Sequence, residues 1–116
     1  LYKTELQRAE GDRRRVEIVL DRFAGTVAAV WANGVKAGVL GWRPYRTDVT
    51  RHLRPGPNDL AVEIVGSPRN LMGPRHSTER YPWVIGSWDL EETSYPGYHL
   101  SPAGLIGDVR AVFLEP

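Results

Sequence analysis

The segment from residue 69 to residue 98 carries the side chains whose types and spacing come closest to a binding site. An exposed indole or phenol ring stacks on the flat apolar face of a sugar, and neighbouring polar groups hydrogen-bond its hydroxyls. The candidate contact residues are Trp83, Trp88, Tyr81, Tyr95, Tyr98, Arg69, Asn70, Arg80 and Asp89. The alternative is that these aromatic residues anchor a long loop onto the rest of the fold or onto a neighbouring domain.

Three aromatic residues outside this segment are expected to be structural. Trp31 ends an apolar stretch and is predicted to belong to the core. A buried role is also favoured for Trp42 and Tyr45, because large aromatic side chains are mostly buried. The alternative for Trp42 or Tyr45 is a stacking platform at the surface.

The remaining polar residues do not indicate catalysis. Glycoside hydrolysis needs two carboxyl groups, about 5–5.5 Å apart for retention or about 6.5–9.5 Å apart for inversion. Asp89, Glu91 and Glu92 lie close together, but no surrounding motif frames them as acid and base. The three histidines are scattered and cysteine is absent, so neither a zinc site nor a cofactor is predicted. Asp48 and Asp108 are available to a structural Ca²⁺, but no dense run of oxygen ligands supports a metal site.

Composition limits the class of protein. The chain has 116 residues, which predicts one domain, and its net charge of +1 gives no general attraction to nucleic acid or membranes. The absence of cysteine leaves both export and a cytoplasmic location open. The chain begins at Leu1 without an initiator Met, which suggests a segment of a larger protein.

The pattern of apolar residues predicts short strands. Alternation or apolar runs place them near residues 1–6, 16–20, 26–32, 35–40, 45–48, 60–64 and 105–114. The strand 26–32 is apolar on both faces, which is typical of a strand covered on both sides. Short strands, frequent turn signals and almost no helix predict an all-β, antiparallel β-sandwich.

Turn chemistry connects these strands. Asn33-Gly34 predicts a type I′ hairpin, because both residues tolerate a positive φ. Residues 54–58 form a second, proline-rich turn, and residues 48–53 suit one helical turn capped by Asp48 or Thr50. Gly38 predicts a bulge or the close approach of another backbone.

The stretch from residue 26 to residue 65 resembles the galactose-binding-like jelly roll of multidomain glycoside hydrolases. It is similar to the sugar-binding module of family 2 glycosidases and to terminal modules of α-L-rhamnosidases. Looser matches at residues 70–74 and 100–107 extend the resemblance to roughly residues 16–114. The matching residues are Val30, Asn33, Gly34, Gly38, Pro44, Tyr45, Asp48, Thr50, Leu53, Pro55, Gly56, Asn58, Leu60, Val62 and Ile64.

The resemblance implies that residues 1–116 form a single galactose-binding-domain-like module of a larger, bacterial glycoside hydrolase. The module would be non-catalytic and would bind a poly- or oligosaccharide, or pack on the catalytic domain of its parent chain and complete the substrate cleft. The alternative is a purely structural interdomain sandwich with no affinity for sugar. An autonomous small hydrolase is the least favoured interpretation.

Overall fold

A computed structural model describes residues 1–66 and 102–115 of the chain. Within these ranges the chain forms nine strands and one 3₁₀ turn at Thr50–His52. The same ranges contain no helix with the length and apolar character needed to cross a bilayer. The strands are β1 (Tyr2–Arg8), β2 (Arg15–Leu20), β3 (Phe23–Ala24), β4 (Val27–Ala32), β5 (Val35–Leu40), β6 (Arg46–Asp48), β7 (Gly56–Val65), β8 (Gly104–Leu105) and β9 (Val109–Leu114).

The strands form antiparallel sheets, which confirms the predicted all-β class. One sheet has four strands in the order β1-β7-β4-β5, and another has three in the order β6-β2-β9. The short strands β3 and β8 form a separate two-stranded ladder. Alternation along the strands sends one set of side chains into a common apolar core. The buried core residues are Val16, Ile18, Leu20, Ala28, Val30, Ala32, Leu40, Val49, Leu60 and Val62.

The β4–β5 hairpin has the predicted type I′ turn. Asn33 has φ of 50° and Gly34 has φ of 80°, and the pair Ala32–Val35 closes the two-residue loop. The register between β4 and β5 shifts after Val30, next to Gly38. A side chain on Gly38 would collide with Thr47 of β6, so the prediction of a bulge or close approach is confirmed.

Two asparagines join the hairpin to the proline-rich turn. Asn58 is fully buried, and its Oδ1 accepts from the backbone N–H of Arg54 at 2.9 Å and from Asn33 Nδ2 at 2.8 Å. Its Nδ2 donates to the carbonyls of Arg54 at 2.8 Å and Gly56 at 2.9 Å. Asn33 Nδ2 also donates to the carbonyl of His52 at 2.8 Å. The network satisfies buried polar groups where the proline-rich turn leads into β7.

The predicted helical turn is the 3₁₀ segment Thr50–His52. Asp48 Oδ1 accepts from the backbone N–H of Thr50 at 2.8 Å and from the Thr50 hydroxyl. The Thr50 hydroxyl oxygen in turn accepts from the backbone N–H of Val16 at 2.9 Å, which ties the turn to β2. The bond from the Thr50 hydroxyl lowers the pKa of Asp48.

The connection between β1 and β2 is held by hydrogen bonds that arginine side chains donate. Arg8 Nη2 donates to the carbonyl of Asp12 at 2.9 Å, and Arg14 donates to the Asp12 carboxylate through Nη2 at 2.7 Å. The Arg14 side-chain bonds, together with its backbone N–H, lower the pKa of Asp12 to about 2.

Three strand boundaries differ from the sequence-based prediction. Residues 22–25, which lie outside every strand predicted from the sequence, contain β3, which pairs with β8 through Phe23–Leu105 and Ala24–Gly104. The predicted strand 105–114 is divided into the end of β8 and a separate β9. β7 begins at Gly56 rather than near residue 60, because pairing with β1 extends the ladder into the turn. Each difference depends on a partner distant in sequence.

Candidate functional site

The nine residues predicted to contact a ligand lie outside the described residues and stay predictions. The same holds for the carboxylates of Asp89, Glu91 and Glu92. These residues are Trp83, Trp88, Tyr81, Tyr95, Tyr98, Arg69, Asn70, Arg80, Asp89, Glu91 and Glu92. A candidate site within the described residues therefore has to come from the two sheets and their turns.

Trp31 does not belong to the core, so that prediction was wrong. Its neighbours Val30 and Ala32 point inward and are fully buried, which directs Trp31 to the outer face of the four-stranded sheet. There its side chain is half-buried. The expectation that strand 26–32 is covered on both faces holds for the inner face and for Ala29, which is 4% exposed.

A trough lies beside Trp31 on this outer face. β4 and β1 flank β7, so the register places Trp31 and Lys3 on either side of Ala61. The methyl group of Ala61 is much smaller than its two neighbours and forms the floor. Asp59 and Glu63, the alternate residues of β7, stand at the ends. We call Lys3, Trp31, Asp59, Ala61 and Glu63 the Trp31 trough. They line an open pocket of about 500 Å³ together with Leu1, Thr4, Gly34 and Leu60.

Two contacts hold the indole of Trp31. Its Nε1–H donates to Glu63 Oε2 at 3.1 Å, which also fixes the carboxylate. Lys36 Nζ lies 5.0 Å from the ring centroid, within cation–π range. Lys36 is the register partner of Trp31 on β5, so it approaches from the side opposite Ala61. The side of the indole that faces Ala61 therefore remains part of the trough wall.

The trough combines the groups that recognise a small polar ligand with flat apolar faces. The indole supplies apolar contact area, Lys3 supplies donors, and the carboxylates of Asp59 and Glu63 supply acceptors. Its volume falls within the range of about 300 to 1,000 Å³ that is typical of small-molecule sites.

Trp42 is a second aromatic residue whose predicted burial was wrong. It is 83% exposed, in the loop between β5 and β6. Tyr45 anchors this loop instead: its half-buried ring lies 4.8 Å from that of Phe23, and its carbonyl accepts from the backbone N–H of Leu20 at 2.9 Å. The predicted structural role of Tyr45 is therefore confirmed.

The structure places the candidate calcium ligand Asp48 at the end of β6, where its carboxylate accepts a hydrogen bond from the backbone N–H of Thr50. Among the described residues, no group of three His, Cys, Asp or Glu side chains is positioned to hold a metal ion.

The Trp31 trough was missed from the sequence because it depends on two strand pairings. Alternation along residues 59–63 correctly separates Asp59, Ala61 and Glu63 from the buried Leu60 and Val62. It does not reveal that β7 lies between β1 and β4. One signal was present in the sequence: Trp31 lies in a strand whose alternate residues are Ala and Val and already form one apolar face. The indole therefore has to lie on the opposite face.

Comparison with known proteins finds similarity to part of one solved enzyme structure. No protein-family model matches the sequence, and no curated protein matches it. A solved structure of a rhamnosidase from Novosphingobium sp. PP1Y is similar, with a TM-score of 0.66 and 29% sequence identity. The match covers 95% of this chain and 10% of that chain. The chain is thus similar in sequence and fold to one tenth of a glycoside hydrolase.

Proposed function

We propose that this chain is a non-catalytic accessory module of a glycoside hydrolase and that it binds carbohydrate. The observation that carries the proposal is the similarity to a rhamnosidase chain over 95% of this chain but only 10% of the rhamnosidase. A tenth of an enzyme chain that folds as an antiparallel sandwich is typical of an accessory module rather than of the catalytic domain. The carbohydrate would be a poly- or oligosaccharide substrate of the parent enzyme.

Two surfaces are proposed to contact the sugar. The first is the segment 69–98, with Trp83 and Trp88 as the leading stacking residues. The second is the Trp31 trough, whose half-buried indole and flanking charges supply the same chemistry on a rigid sheet. Either surface would guide the polymer toward the parent's active site or complete its cleft.

A structural role is the second candidate function, and exposed apolar side chains favour it. Trp42 is 83% exposed, and Val39 on the outer face of β5 is 56% exposed. Exposed large apolar residues that cluster often mark contact surfaces. In this alternative the module braces the catalytic domain of its parent chain and has no affinity for sugar.

Titration of the 116-residue chain with neutral and acidic plant and bacterial polysaccharides, followed by tryptophan fluorescence, distinguishes the two functions. We expect weak binding, with a dissociation constant near 1 mM, which corresponds to about 4 kcal/mol. Trp83→Ala and Trp88→Ala then test the first surface. If no polysaccharide binds to the folded chain, the structural candidate replaces sugar binding.

The proposed accessory role also excludes hydrolysis by the isolated chain. A purified preparation should release no product from a panel of aryl glycosides. Asp89→Ala and Glu91→Ala provide the control, because each variant removes one carboxyl group of the residues that come closest to a catalytic pair in the sequence. If the unmodified 116-residue chain hydrolyses a glycoside and either variant loses that activity, the accessory role is contradicted.

A further inference from the structure

We propose that the Trp31 trough is a subsite for one neutral sugar ring, seated over Ala61 and stacked against Trp31. This inference rests on the proposed function, since it gives the sugar-binding module a defined contact surface and a ligand class. The site lies on the outer face of the four-stranded sheet, on residues of β1, β4 and β7.

The position of the ring follows from the small floor of the trough. Ala61 lies directly between Trp31 and Lys3 in the antiparallel register. Side chains directly opposite each other in such sheets have Cβ atoms about 4.5–5.5 Å apart, so Trp31 and Lys3 stand about two strand spacings apart with only a methyl group between them. A flat ring fits into this gap, with one apolar face against the indole.

The hydrogen-bonding groups of the trough suit the hydroxyls of a sugar. Glu63 Oε2 accepts from Trp31 Nε1–H, and Glu63 Oε1, which accepts no hydrogen bond from the described residues, is the oxygen that would accept from a sugar hydroxyl. The Asp59 side chain is exposed at the opposite end, where it offers two further acceptor oxygens. Across the described ranges Lys3 forms no ion pair with an acidic side chain, and its ammonium donates to a ring or hydroxyl oxygen.

The charges select a neutral ligand over an acidic one. Asp59 and Glu63 line the pocket with two carboxylates, and Lys3 is the one basic side chain among its lining residues. Glu5, the register partner of Asp59, adds another carboxylate at that end. A uronic acid would bring its own negative charge close to these groups, and like charges held close together repel. Neutral hydroxyls satisfy the same acceptors without that cost.

The indole is prepared for stacking before any ligand arrives. The bond to Glu63 and the ammonium of Lys36 hold its ring, so little rotamer freedom remains to be lost on binding. A fixed aromatic surface beside a narrow gap gives affinity even when few contacts are made. The trough therefore needs no rearrangement of the sheet to accept a sugar.

The test measures binding by isothermal titration of the 116-residue chain. The neutral probes are L-rhamnose and the trisaccharides of glucose, xylose, mannose and galactose, and the acidic probe is trigalacturonate. Ala61→Gln fills the trough without removing a ligand group, and Trp31→Phe keeps a flat ring but removes the bond to Glu63. Trp42→Ala is the matched control, because it removes an exposed indole outside the trough.

We expect at least one neutral probe to bind, with Ala61→Gln weakening it about tenfold or more and Trp31→Phe by a smaller factor. Trp42→Ala should bind like the parent, and melting curves should show all variants folded. Tighter binding of trigalacturonate than of every neutral probe would overturn the ligand class. Neutral binding that Ala61→Gln leaves unchanged would overturn the site while the proposed function stands. If no probe binds, this inference fails, and the polysaccharide titration described above decides separately whether the proposed function stands.

Discussion

Replacing Asn58 by Ala should destabilise the chain by about 3 kcal/mol. Its amide makes four hydrogen bonds of 2.8–2.9 Å, to the backbone N–H and carbonyl of Arg54, the carbonyl of Gly56 and the side chain of Asn33. At about 0.5–1.5 kcal/mol for each net bond, the four contribute about 2–6 kcal/mol. Because Arg54 is exposed, water can replace part of the hydrogen bonding that its backbone loses. We therefore expect a destabilisation in the lower half of this range.

Urea unfolding followed by tryptophan fluorescence measures this change. Because domains of this kind are stable by about 5–15 kcal/mol, a loss of 3 kcal/mol should move the urea midpoint strongly with little change in slope. Gln7→Ala is the matched control, since the Gln7 amide is exposed and its only described bond is to Glu5. It should change the unfolding free energy by less than about 0.5 kcal/mol.

Asn58→Asp adds a pH signature to the same experiment. One carboxylate oxygen would still accept from Arg54, but the other would face the carbonyls of Arg54 and Gly56 in a fully buried position. Burial and these carbonyls raise the pKa of the new carboxyl above its unfolded value. Its destabilisation should therefore grow as the pH rises from 4.5 to 7.5. An Asn58→Ala variant within about 1 kcal/mol of the parent, or an Asn58→Asp variant without this pH trend, would refute the role of the network.

Three further predictions concern stability. Gly34→Val should cost about 1 kcal/mol or more in urea unfolding, because a β-branched residue resists the φ of 80° at this position; an unchanged midpoint would count against the hairpin's importance. Asp12 and Asp48 have lowered pKa values, so they stabilise the fold above the ordinary value of 3.8, and that contribution should disappear as the pH falls from about 4 toward about 2. Asp12→Asn should reduce the acid dependence of the urea midpoint, and an identical dependence would contradict the assignment. Trp42→Ala should leave the melting curve of the isolated chain nearly unchanged because Trp42 is 83% exposed, and a large fall would show that it packs on the fold.

Local sequence signals predicted the parts of the fold that depend on neighbours in the chain. The Asn33-Gly34 turn, the 3₁₀ turn near Thr50 and the alternation of β2 and β7 all follow from residues within a few positions of one another. The resemblance to galactose-binding-like modules also has a physical basis in the structure. Asn33 and Asn58 are among its matching residues, and their side chains bond to each other. These residues specify the fold, and they carry no information about a ligand.

Features that depend on distant pairing were not predictable in the same way. Trp31 was assigned to the core because apolar residues occupy both sets of positions along β4, and only the sheet order shows which set faces outward. Trp42 was assigned to the interior by residue type, but Tyr45 occupies the place beside Phe23. The short ladder between β3 and β8 joins residues about eighty positions apart, which no local pattern reveals.

The most direct test of the central claim is an NMR titration that follows the indole N–H signals of the four tryptophans. Each signal is assigned by a single Trp→Phe variant, and the neutral oligosaccharides are then added to saturation. We expect a saturable shift of the Trp31 signal, because the Trp31 indole N–H donates to Glu63 at the wall of the trough, and we expect the Trp42 signal to stay in place. Shifts confined to Trp83 or Trp88 would move sugar binding to segment 69–98. No shift of any indole signal with any oligosaccharide would contradict carbohydrate binding by this module.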